Sequence, residues 1–84
     1  MAHSYFIVMI NFERRIDGNG VLRPAAQEAI VDPELTRADI LSRIKSGEYR
    51  DIAFIHEIKN WLCSDVTHDD DFVEAVLQAQ LEDT

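Results

Sequence analysis

Apolar and polar residues alternate most clearly near the start of the chain, in Ser4–Arg14, SYFIVMINFER. Phe6, Val8, Ile10 and Phe12 share one side of a strand, and Ile16 continues the series. Tyr5, Ile7 and Met9 share the other side, which turns polar at Asn11 and Glu13. β-Branched and aromatic side chains of this kind suit a pleated, buried surface. The pattern predicts a central strand, apolar along the whole of one face and half of the other.

Asp17-Gly18-Asn19-Gly20 follows, a run that tolerates positive φ and joins two apolar stretches. That is the signal of a hairpin. The return strand falls within Val21–Asp32, chiefly Gln27–Asp32. Pro24 has no N–H for a ladder, so the strand belongs at a sheet edge. A short helix over 24–29, opening on Pro24, is the competing reading.

A helix start is marked by Thr36 as N-cap, Asp39 three residues on, and Leu35 poised against Ile40. Ile40, Leu41 and Ile44 share one side, and Gly47 supplies the stop. A period of two returns from Asp51 to about Lys59, with an extension through Trp61 and Leu62 as its outer limit. Ile52, Phe54, His56 and Ile58 take one face; Ala53, Ile55, Glu57 and Lys59 take the other. A last helix covers Asp69–Leu81, capped by Thr67 or Asp69.

The order β-β-α-β-α predicts an α+β fold: a three-stranded antiparallel sheet of spatial order 2-1-3, packed with two helices in a single small domain. This order puts the proline-bearing strand at an edge and the most apolar strand at the centre.

The apolar surface exceeds what that fold can hide. Phe72, Ala75, Val76 and Ala79 form one stripe of the last helix, and Val73, Leu77 and Leu81 form a second. A helix on one sheet face needs an apolar arc of about 100° or slightly more. The second stripe either packs on the first helix or meets another chain. If both helices cover the Phe6 side, then Tyr5, Ile7, Met9, Ala53 and Ile55 make a contiguous bare patch, the mark of an interface. A chain of 84 residues buries a modest fraction of its surface, so a homodimer is expected.

Charge narrows the partners. The net charge is −8, and Asp65–Thr84 holds seven acids (Asp65, Asp69, Asp70, Asp71, Glu74, Glu82, Asp83) with no Lys or Arg. Such a field repels phosphate backbones and argues against direct nucleic-acid binding. It favours a basic protein surface. A composition 46% hydrophobic and 29% charged belongs to a folded soluble domain. No stretch approaches the ~20 apolar residues of a membrane span, and no secretory pattern precedes the first strand, so a cytoplasmic location is expected.

Candidate chemistry is sparse. Cys63 is the sole cysteine, which excludes an intrachain disulfide or thiolate cluster; it reads as a small buried hydrophobe. His56 and Glu57 point to opposite faces of a strand, and His68 with Asp69, Asp70 and Asp71 has no zinc or calcium spacing. The clustered aspartates suit a helix N-terminus. No catalytic, cofactor or metal residue is therefore assigned. The reading is a small acidic interaction module without catalytic activity, its contact residues Tyr5, Ile7, Met9, Asp69, Asp70, Asp71, Val73, Leu77 and Leu81. The alternative is an acidic inhibitor that mimics nucleic acid and occupies a basic groove.

Overall fold

The structure is a computed structural model that describes residues 4–82, with side chains omitted at 13, 14, 24, 25 and 82. It is α+β, with two helices on an antiparallel sheet. The elements are β1 (Ser4–Ile16), β2 (Leu22–Val31), α1 (Arg37–Lys45), β3 (Ile52–Lys59), β4 (Leu62–Asp65) and α2 (Asp70–Glu82). The spatial order is β2-β1-β3-β4. The central and edge positions expected of the first two strands are those observed, and the return segment is strand, not helix.

The sheet has four strands where three were expected. Asn60 and Trp61 both have positive φ, 52° and 68°, the backbone of a tight type I′ hairpin turn. The chain therefore reverses at once, and Leu62–Asp65 pairs back on β3, with Lys59 opposite Leu62 and His56 opposite Asp65. The second central position of such a turn favours glycine, and a tryptophan there conceals the turn in the sequence.

Asp17 closes the other hairpin. Its carboxylate accepts from the N–H groups of Asn19 and Val21 at 2.8 and 3.0 Å, and its own N–H donates to Val21 O at 2.9 Å. Phe12 on β1 and residue 25 on β2 drop out of the ladder, bulges that bend this hairpin. The hairpin runs on past the helices. Phe12 and Ile16, expected on the core face, are 61% and 72% exposed.

Helix α1 has the expected signals. Thr36 Oγ1 accepts from Asp39 N–H while the Asp39 carboxylate accepts from Thr36 N–H, closing a capping box. At its end Gly47 N–H donates to Ile44 O, Glu48 N–H donates to Arg43 O, and Gly47 has φ +81°. This is a Schellman stop, whose left-handed residue is glycine because any Cβ would be strained there.

Phe6 and Val8 of β1, Ile55 of β3, Ile40 and Ile44 of α1, and Phe72 and Ala75 of α2 form one buried cluster, joined by Tyr49 and Val66. Phe6 and Phe72 meet edge to face, with centroids 6.2 Å apart. Both helices thus cover the same side of the sheet. Ile55 lies opposite Val8 in the ladder, so it belongs to the covered side and not with Tyr5, Ile7 and Met9 as expected. The alternation within each strand is legible in the sequence, but the phase between strands depends on register.

Thr67 does not cap α2. Its hydroxyl accepts from Ile55 N–H at 2.9 Å and donates to the Asp65 carboxylate, standing in for a strand residue beside β3. Val66 N–H donates to Ile55 O at 2.9 Å, and α2 begins at Asp70, with Val73 N–H donating to Asp69 O.

Candidate functional site

With both helices on one side, the other side of the sheet has no helical layer, and the registers give its composition row by row. Val31, Ile7, His56 and Asp65 lie abreast across all four strands. Beside them run Tyr5, Ile58 and Cys63, and on the other flank Ala29, Met9 and Phe54. The next row is polar: Gln27 lies opposite Asn11 and donates to its side-chain oxygen at 2.7 Å. The result is an apolar field closed at one end by an amide pair.

Within it, Phe54 and His56 stack at 4.2 Å between ring centroids. His56 therefore lies on the open side against an aromatic ring, not among the core residues. Asp65 sits opposite it at the β4 edge. The Thr67 hydroxyl holds the Asp65 carboxyl below the usual carboxylate range, with the Thr67 N–H adding to the effect. Cys63 is exposed on β4, not buried, because it stands opposite Ile58 on the side of the sheet without a helical layer.

Of the contact residues expected from sequence, Tyr5, Ile7 and Met9 do share this field. Phe54, Ile58, Ala29 and Val31 complete it and were missed, because only the inter-strand register joins them to Ile7. Val73, Leu77 and Leu81 lie along α2, on the other side of the sheet, with Leu77 and Leu81 55% and 76% exposed. The second apolar stripe of α2 is thus left to solvent, where packing on α1 was the alternative.

The aspartates divide. Arg37, the first residue of α1, donates through Nε and Nη2 to both oxygens of Asp71, at 2.7 and 2.8 Å, and through Nη2 to Asp69 at 2.8 Å. Its guanidinium also stands over the Phe72 ring, 4.5 Å from the centroid. The bond from Arg37 holds the Asp71 carboxyl below its ordinary value, and the two carboxylates in turn push Arg37 upward. Asp69 and Asp71 therefore tie the helices together, while Asp70 is exposed in the first turn of α2. Asp83 lies outside the described residues.

Among the described residues, no three or more His, Cys, Asp or Glu side chains converge as a metal site would require. Among the same residues, no helix is long and apolar enough to cross a membrane. No protein-family model matches this chain, and neither the curated proteins nor the solved structures searched contain a match.

Proposed function

We propose that this chain is a non-catalytic interaction module that associates with a second copy of itself through the open face of its sheet. The observation that carries the reading is the apolar field of Tyr5, Ile7, Met9, Phe54, Ile58 and Val31, broken only by His56 within it and Asp65 at its edge, which none of the described helices covers. Contiguous patches of this kind mark interfaces.

Charge selects the occupant. In a chain of net charge −8, copies repel wherever acids face acids. The α2 row is flanked by Asp70 and Glu74, so two such rows oppose each other. Among the described side chains of this apolar field the one acid is Asp65, at its β4 edge, so the field admits a second copy. Because α2 lies on the other side of the sheet, its row stays outside a two-fold contact made by this face. It remains available to a partner with a basic rim, the secondary reading.

Size sets the strength. Four strands at about 4.8 Å spacing and five or six residues at about 3.3 Å give a face of roughly 350 Å² per copy, or about 700 Å² for the pair. That is below the ~1,200 Å² total of a permanent complex, so the dimer is weak and concentration-dependent.

Sedimentation equilibrium from about 10 μM to about 1 mM tests this, with the weight-average mass expected to climb toward twice that of one chain. Ile7→Lys is expected to hold the mass at the monomer value while its far-ultraviolet circular dichroism stays native. A wild type that remains monomeric at the highest concentration, or a folded Ile7→Lys that still dimerises, overturns the proposal.

A further inference from the structure

A cleft of about 450 Å³ opens on the helical side of the sheet, away from the face described above. Its floor is Ile52 and Ile55 of β3, one wall is Ile44 with the Gly47–Asp51 loop, and the other is Val76 and Ala79. Ile44 and Ile55 are fully buried, while Arg50, Asp51, His68 and Gln80 at the mouth are exposed. An aliphatic interior beneath a small set of polar groups, in this range of volume, is the usual make-up of a small-molecule site.

Two features select the ligand. Arg50 Nε donates to Gly47 O at 3.0 Å, which fixes the guanidinium beside the opening. A Cβ on Gly47 would come within 3.0 Å of Arg50 Nη2, so the bare glycine leaves the room that this placement needs. His68 adds a second nitrogen donor, and Asp51 is the only acid among the described residues that line the cleft. In a chain this acidic, the mouth is thus a place where an anion is not repelled.

We infer that the cleft binds a small amphipathic carboxylate, its alkyl tail over the part-exposed Ile52, Val76 and Ala79 and its carboxylate at Arg50. A planar guanidinium is the preferred partner for that head group.

The test titrates straight-chain hexanoate, octanoate and decanoate, below their micellar concentrations, into isotopically labelled protein followed by methyl NMR. Affinity is expected to rise about fourfold per added CH₂. The largest shifts are expected at Val76, Ala79 and Ile52. Arg50→Gln, at an exposed position, should weaken octanoate about tenfold and leave 1-octanol unchanged. Three results each overturn the inference: octylammonium binding better than octanoate, which gives the mouth to Asp51; shifts centred on Ile7 and Ile58, which place the tail on the open sheet face; and no binding at millimolar ligand. Sedimentation of the ligand-free protein reads self-association independently of all three results, so this inference and the proposed dimer fail separately.

Discussion

Arg37 grips Asp71 at both carboxylate oxygens, Nε to Oδ2 at 2.7 Å and Nη2 to Oδ1 at 2.8 Å, and so joins the first turns of two helices 34 residues apart in sequence. Two parallel bonds fix an angle as well as a distance, which a single surface ion pair does not do. About a third of the arginine side chain remains exposed, so solvent screens the pair. Arg37→Met is expected to cost about 1 kcal/mol in urea denaturation, a fall in Tm of about 4–8 °C for a domain of this size. Asp71→Asn should cost a similar amount. The double variant should cost less than the sum, by about 0.5 kcal/mol or more, since both changes break one contact.

Stability should decline in acid, and the sign follows from four carboxyls. Asp71 is held low by Arg37, Asp65 by the Thr67 hydroxyl, Asp39 by the Thr36 N–H and Asp17 by Arg23. Each is more acidic folded than unfolded, so between the two values the unfolded chain binds more protons. Their contribution is complete above the ordinary aspartate value, near pH 4, and is lost as pH falls through the lower folded values. A series of urea midpoints from about pH 7 to about pH 2.5 should stay level and then drop. In Arg37→Met the drop should be shallower.

Gly47 and Gly18 make a matched pair. Gly47 has φ +81° and a Cβ there would approach Arg50, whereas a Cβ at Gly18 would meet nothing within 4 Å. Gly47→Ala is expected to lower stability by about 1–2 kcal/mol, the strain of a left-handed Cβ. Gly18→Ala should change it by less than about 0.5 kcal/mol. Equal effects in chemical denaturation would mean that the Schellman geometry is not what ends α1.

Trp61→Gly is expected to stabilise the fold. The indole is 97% exposed and φ is +68°, so the side chain brings strain and little packing. Asn-Gly is the preferred centre of a type I′ turn, and the gain should be about 0.5–1 kcal/mol, read from the thermal midpoint. Loss of stability in this variant would show that the tryptophan packs in a way its exposure does not reveal.

Local signals were legible in the chain wherever the physics was local. The Thr36–Asp39 capping box, the Gly47 stop, the Asp17–Gly20 hairpin and the edge position demanded by Pro24 each depend on neighbouring residues, and each is where the sequence puts it. The misplacements have a common origin in long-range pairing. Ile55 lies on the covered side opposite Val8, which alternation alone does not reveal because it leaves the phase of one strand against another undefined. Nothing local says that Cys63 stands on the uncovered side of the sheet, which only the pairing with Ile58 decides. β4 itself was hidden by a tryptophan in a glycine's place. The apolar character of Tyr5, Ile7 and Met9 was plain, but the rest of their field sits 20 to 50 residues away and is gathered only by register.

Trp61 is also the only tryptophan in the chain. Its indole is as wet in the native protein as in the denatured one, so its fluorescence emission should barely move during a melt. A fluorescence trace alone would therefore mistake a cooperative transition for no transition. The same property makes the ring a clean reporter: a blue shift on mixing would register a molecule arriving at the β3–β4 tip.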